Sequence, residues 1–531
     1  MVRRPLAAIA VLMLALHGLG MARTLVPAQD GLKFLRVARG FQERPPIEVI
    51  RGTDQHPLYP GLVALAEPPV RILVGAGPTA WRVAAQIVST VAAIATLFPL
   101  FGLTRALFGD RPALLAALLF ALLPAFGAIG HDTLSDSLAL LLFVTCLRWG
   151  EVGLRTGSRG AWVLAGLASG LGYLARPEIL LAGVVLGFAA VLPRSAKPGS
   201  VEQATRKPSR PRLANLAGLG VAAFAVVGLY AMAKGEVSEK LSLRVGINVG
   251  ASARSSKAPP AALPRGLDDA RWDFAPKEES SSFAAGLAGA WGKTSLRLGQ
   301  LWAEGLGFVL LPCFVWGVLR GGRLGGSVAG RRMIALYAAM FAAVAVRHAT
   351  SLGYLSGRHA LTLVVASLPW VGAGIWSWAS RFPSRRNLDP IAARRLGTLG
   401  LACLIAVGVT AQVRASHPSR WGHWAAGRWL ADHAAASDAV LDTRGWANFV
   451  RGGPGYDYWH VRQALADPAL GFVVVGADEM DAETPRGATL RAVLAHAGVL
   501  AAEFSEREGG PGIGVRVYRF HAPTTWEGLR P

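Results

Sequence analysis

Residues 79–103 read TAWRVAAQIVSTVAAIATLFPLFGL, and Arg82 is the only charged residue among them. A run this long and apolar matches the roughly 20 residues an α-helix needs to cross a ~30 Å hydrocarbon core. Comparable runs lie near 5–26, 112–130, 134–150, 161–175, 178–193, 213–233, 297–319, 333–350, 359–379 and 396–413. The pattern predicts an α-helical polytopic membrane protein of about eleven spans, the fourth to sixth of them short. Composition agrees: of 531 residues 52% are apolar and 17% charged, where soluble proteins carry about 25% charged residues.

After residue 413 the pattern changes. Trp424–Ala435 has helical spacing, Ala439–Leu441 and Gly471–Gly476 read as short apolar strands, and Leu490–Ala497 as a helix. Val499–Phe504 and Gly514–Phe520 close the set as strands, so 414–531 is expected to form a small soluble α/β domain. Residues 1–413 are expected to form the transmembrane domain, with long loops at 28–78 and 234–296. The first loop contains an amphipathic stretch, Phe34, Val37, Ala38 and Phe41 on one helical face, which predicts a helix lying on the membrane surface. A second such helix is expected through Leu58–Ala66, and the Ser- and Pro-rich loop 234–296 reads as a lid.

The net charge of +22 first suggests nucleic acid, but its placement argues against that partner. Segments 1–4, 104–111, 148–160, 194–212, 320–332 and 381–395 together hold 22 Lys and Arg against four acids, Asp110, Glu151, Glu202 and Asp389. Positive charge in short loops marks the cytoplasmic side. The N-terminus is therefore expected inside and the C-terminal domain outside, on the extracytoplasmic side of the membrane. Gly20-Met21-Ala22 also offers a signal-peptide cleavage site, and residue 28 onward starts outside whether or not it is used. Cys146, Cys313 and Cys403 each lie within an apolar run without a partner at ligand spacing, so neither a disulfide nor a cysteine metal site is expected.

This topology brings scattered polar groups to one face. Asp30 follows the first span, His56-Pro57-Leu58-Tyr59-Pro60 sits in the first outer loop, and His131 to Asp136 joins the third and fourth spans. Arg176-Pro177-Glu178 joins the fifth and sixth, and Tyr354 with Gly357-Arg358-His359 precedes the tenth. Ionisable residues beside spans are costly and mark functional sites, and such a set suits a polar, phosphate-bearing substrate. Structural readings stand beside this one. Asp30 and Asp136 occupy helix-capping positions, His56 could be a hydrogen-bonded loop residue, and Arg176 could pair with Glu178. Arg358 at a helix N-terminus opposes the helix dipole and calls for an anionic partner. Trp421, Trp424 and Trp429 fit core packing better than sugar stacking, and Arg451 to Gly455 reads as a turn.

In order and spacing these motifs resemble the GT-C membrane glycosyltransferases, near the protein O-mannosyltransferases (glycosyltransferase family 39) and the aminoarabinose transferase of lipid A. The resemblance runs through Asp30-Gly31, His56 to Pro60, Leu134-Ser135-Asp136, Arg176 to Glu178 and Arg358-His359, and covers residues 1–413. It implies an inverting transfer of sugar from a polyprenyl-phosphate donor to a lipid, protein or glycan acceptor at the outer face. Asp30 is implied as the catalytic base, and His56, Tyr59, Asp132, Asp136, Arg176, Glu178, Arg358 and His359 as substrate- and phosphate-binding residues. Many relatives have Asp-Glu where this chain has Asp30-Gly31, and the missing carboxylate argues against a divalent metal held there. No cofactor is implied beyond the lipid-linked sugar, which is a substrate. Rival readings are a transporter or flippase, which calls for inverted repeats, a non-enzymatic envelope scaffold, and a surface-polysaccharide polymerase or ligase.

Overall fold

The computed structural model describes residues 3–192, 211–235, 287–352, 355–385, 389–413 and 420–521. Most of the expected lid at 234–296, and Tyr354, lie outside the described residues. The chain opens with α1 (Arg3–Arg23), α2 (Gln29–Glu43), α3 (Pro46–Gly52), α4 (Leu58–Val74) and α5 (Pro78–Phe108). Then come α6 (Asp110–Leu122), α7 (Pro124–Gly130), α8 (Asp136–Thr156), α9 (Arg159–Ala175), α10 (Leu180–Val191) and α11 (Pro211–Lys234). The helical part closes with α12 (Leu287–Gly305), α13 (Leu311–Arg320), α14 (Val328–Leu352), α15 (Gly357–Arg385) and α16 (Pro390–Val413).

Helices occupy each of the eleven predicted spans, but seven among the described residues are by themselves long and apolar enough to cross a bilayer. These are α1, α5, α8, α11, α14, α15 and α16, and they make the chain an integral membrane protein. An eighth crossing would be α6 with α7, bent by 60° where Pro124 cannot continue the hydrogen-bonded ladder. The single span expected over 297–319 is instead two helices. Between α12 and α13 the chain turns through Gly307 at φ 72° and Phe308 at φ 53°, and Pro312 restarts the helix. The loop expected up to 296 likewise ends earlier, since α12 begins at Leu287.

The helix predicted at the membrane surface is α2. Its apolar residues Phe34, Val37 and Ala38 are buried, with Phe34 edge-on to Tyr59 of α4 at 5.3 Å. The helix thus packs its apolar face on α4 and leaves Lys33 and Arg36 exposed.

The C-terminal part adds α17 (Arg420–His433), α18 (Trp446–Arg451), α19 (Val461–Ala466), α20 (Ala477–Asp481) and α21 (Pro485–Ala497) around one sheet. Strands β1 (Ala439–Asp442), β2 (Gly455–Tyr456), β3 (Leu470–Gly476), β4 (Gly498–Ser505) and β5 (Ile513–Phe520) lie in the order β2-β1-β3-β5-β4. β1 pairs in parallel with β2 and β3, while β5 runs antiparallel to β3 and β4. The continuous apolar run Phe472–Val475 is buried, as a central strand covered on both faces requires. Trp429 packs edge-on to Phe472 at 6.0 Å, so that tryptophan serves the core. This unit meets α2 and α5 where Gly445 approaches Leu32 and Gly452 approaches Pro78. Both glycines have positive φ and have room for no more than a Cβ at those points.

Candidate active site

Four chain segments converge at one end of the bundle: the start of α2, the link 131–135 into α8, the link 176–179 after α9, and the start of α15. Their side chains form a continuous line of ion pairs. Arg358 donates from Nη1 to Asp30 Oδ2 at 2.6 Å, and from Nη2 and Nε to Asp136 Oδ2 at 2.6 and 3.2 Å. Arg176 donates to the other oxygen of Asp136 and, from Nε, meets Glu178 at 2.7 Å. Asp136 is 2% exposed and receives two guanidinium groups, whereas Asp30 is 51% exposed and faces open space. Such charge-assisted forks are the strong class of hydrogen bond.

Ala28 stands at the N-cap of α2 and Ser135 at that of α8, and neither cap makes a side-chain hydrogen bond. Asp136 is instead the shared counter-ion of Arg176 and Arg358. Arg358, unfavourable at the N-terminus of α15, is held there by Asp30 and Asp136 together. Burial alone would raise the Asp30 carboxyl. The hydrogen bond and charge of Arg358, aided by Lys33 and Arg176, outweigh it and hold the group below the usual carboxylate range.

Asp30, Asp132 and Arg358 line one cavity of about 670 Å³, with Glu304, Arg420 and Trp446 on its other walls. Asp132 is 1% exposed. Its Oδ1 accepts the backbone N–H of Ala28 and of Thr133 at 3.0 and 2.7 Å, and its Oδ2 accepts Arg420 at 3.0 Å. It therefore fixes the entry into α2 and anchors the C-terminal unit. Glu178 and His359 line a second, apolar cavity of about 350 Å³ formed with Leu181, Val184, Phe341 and Val344. The Nδ1 of His359 bonds Ser356 at 2.9 Å.

Two predicted residues stand apart from the ion-pair line. His56 is buried between the rings of Tyr173 and Tyr230, at 5.1 and 5.9 Å. Tyr59 is fully buried, its hydroxyl donating to Ala85 O at 3.0 Å and sharing a hydrogen with Ser89 at 2.9 Å. Three cavity residues were not foreseen. Glu304 carried a usable signal, a carboxylate inside a stretch read as a span. Arg420 and Trp446 come from a region read as a separate domain, and no local pattern points them back to the bundle.

Gly31 has a structural reason. A Cβ there would stand 2.0 Å from Thr133 Oγ1 and 2.7 Å from Thr133 O, so no second carboxylate fits beside Asp30 in this packing. Among the described residues, no three His, Cys, Asp or Glu side chains converge as a metal-ligand set.

Comparison with known proteins places this geometry. Residues 73–201 match the family described as dolichyl-phosphate-mannose-protein mannosyltransferase. The whole fold is similar to ArnT from Cupriavidus metallidurans in its apo state, with TM-score 0.58 at 12% identity over 99% of this chain and 98% of that one. The same protein bound to undecaprenyl phosphate gives 0.57 at 14% identity over the same shares. The apo oligosaccharyltransferase of Archaeoglobus fulgidus gives 0.52 at 14% identity, over 99% of this chain and 75% of that one. No curated protein matches the sequence significantly. At these identities the likeness is one of fold.

Proposed function

We propose that this chain, which has the GT-C fold, is an inverting glycosyltransferase that moves a sugar from a polyprenyl-phosphate carrier to an acceptor at the extracytoplasmic face of a bacterial inner membrane. The observation that carries the reading is the convergence of Arg176 and Arg358 on Asp136, next to a half-exposed Asp30 at the wall of a cavity. Such cations suit a phosphate better than a neutral ligand, because a guanidinium presents paired N–H donors to it. The neighbouring apolar cavity, with Glu178 at its rim beside Arg176, offers a place for an isoprenoid chain. A structural neighbour with bound undecaprenyl phosphate supports the same donor class.

In the proposed reaction the acceptor oxygen attacks the anomeric carbon as its proton passes to the Asp30 carboxylate. The bond from the anomeric carbon to the phosphate oxygen breaks, and that oxygen leaves with the electron pair. Arg358 meets the charge developing there. One displacement inverts the configuration. The excess of Lys and Arg in the short loops at the opposite end supports the extracytoplasmic placement.

The test is Asp30→Asn in proteoliposomes carrying a polyprenyl-phosphate sugar. Sugar transfer is expected to fall by at least a hundredfold, with insertion and polyprenyl-phosphate binding retained. Wild-type turnover in the variant would remove Asp30 from the chemistry.

A further inference from the structure

The charged face of α2 has no role in the reaction above. It forms one wall of a cleft of about 410 Å³, and the C-terminal unit forms the other through Arg444, Asn448 and the segment Gly452–Asp457. Along α2, Lys33, Arg36 and Gly40 succeed one another at spacings of three and four residues, which places them on one face, and Arg44 follows at the C-cap in extended backbone. Arg39 sits beside them, its guanidinium 5.7 Å from the Trp81 ring and 5.8 Å from that of Phe449. With Arg444 that makes five cations on the lining against two carboxylates, Glu43 and Asp457.

The pairing within the cleft is incomplete. Arg36 reaches Asp457 at 3.7 Å, and Arg444 is drawn to Asp478 at 2.5 Å. Among the described residues, Lys33, Arg39 and Arg44 have no carboxylate within ion-pair distance, and the Nε of Arg39 and the Oδ1 of Asn448 are buried without a hydrogen-bond partner. Buried polar atoms are rarely left unsatisfied, so these two mark the walls of the cleft as polar and under-paired. An excess of cations over carboxylates along a cleft focuses a positive field there.

The cleft also has a direction. Gln29 lines both this cleft and the 670 Å³ cavity, so the two adjoin beside Asp30. At ~1.5 Å rise per residue, Lys33 lies about 5 Å along the helix from Asp30 and Gly40 about 15 Å, with Arg44 just past the helix end at Glu43. A ligand held along this face would extend outward from the proposed base. The C-terminal wall packs on α2 and α5, with Gly445 close to Leu32 and Gly452 close to Pro78.

We infer that this cleft binds an oxyanion-bearing saccharide, phosphate or carboxylate in type, and that it holds the acceptor while its reactive hydroxyl reaches Asp30. The word acceptor rests on the glycosyl-transfer reading; the oxyanion site does not. Lys33, Arg39 and Arg44 meet the charge.

The experiment is a binding measurement that needs no turnover. Full-length protein in phosphatidylcholine nanodiscs is labelled with an amine reagent, and modification of Lys33 is read by peptide mass spectrometry as glucose 6-phosphate or glucose is added. Glucose 6-phosphate is expected to protect Lys33 saturably and glucose to leave it reactive. Arg36→Gln with Arg44→Gln, both exposed, is expected to weaken that protection at least tenfold. A parallel series in phosphatidylglycerol nanodiscs separates the sources: protection already present without added sugar phosphate assigns the oxyanion to a lipid headgroup at the same site. Equal labelling in every condition, or protection unchanged in the double variant, overturns the site. Sugar transfer lost in Asp30→Asn while Lys33 protection is absent in wild type would leave the enzyme reading standing without this cleft, and the reverse pair would do the opposite.

Discussion

Asp136→Asn tests the central carboxylate of the site. The substitution keeps shape and volume, so no cavity term enters, and it removes one charge from between two guanidinium groups. A unit pair about 4 Å apart is worth about 4 kcal/mol at an effective dielectric of 20, and Asp136 has two such partners while only 2% exposed. Burying the carboxylate offsets a large part of that gain, and removing one member of a buried pair costs about 3–5 kcal/mol. That range is the expected destabilisation, read by reversible unfolding in mixed micelles. Arg176→Met should lower the cost of Asp136→Asn by at least ~1 kcal/mol, as groups in direct contact do in a double-mutant cycle. A loss below about 1 kcal/mol, unchanged in the Arg176→Met background, would mean that Asp136 merely begins α8 and that the ion-pair line stores no energy.

Two further outcomes follow from the same geometry. Arg358 holds the Asp30 carboxyl below its ordinary 3.8 against burial. In the wild type the ionised pair therefore persists above 3.8 and is lost only as pH falls through that lowered value. In Arg358→Met only Lys33 and Arg176 remain to oppose burial, so the acid limb of the transfer rate should move to higher pH and the donor KM should rise more than the acceptor KM. An unmoved limb would release Asp30 from Arg358. Gly31→Ala drives a methyl into Thr133 and should cost about 1–3 kcal/mol by overpacking. Gly31→Glu, which restores the Asp-Glu pair common among the resembled enzymes, should be no better folded and should not gain activity; a more active Gly31→Glu protein would show that the 131–133 link yields easily.

How much of this was legible beforehand differs by element. The helical stretches were, because a 20-residue apolar run has few other solutions, and so were β1, β3, β4 and β5 from short apolar runs between turns. The break between α12 and α13 was not, since Gly305, Gly307 and Pro312 sit in a segment apolar enough to pass as continuous. Within the candidate site, sidedness brought Asp30, Asp136, Arg176, Glu178 and Arg358 together as one group, and the structure joins these five directly. His56 and Tyr59 shared the side but not the depth: an aromatic and an imidazole beside prolines pack as readily against Tyr173 and α5 as they face a cavity. Asp132 lines the cavity through a partner nearly three hundred residues away, and no local signal predicts such a pairing.

That pairing has a consequence for biosynthesis. Asp132 enters the membrane region early, yet its cation, Arg420, follows only after every spanning helix has been made. Until then the loop that positions Ala28, and with it the start of the helix bearing Asp30, lacks its anchor. The site is thus completed by a segment made after the membrane helices, and a protein cut short before residue 420 would present an open, charged and proteolytically vulnerable junction instead of a half-formed site.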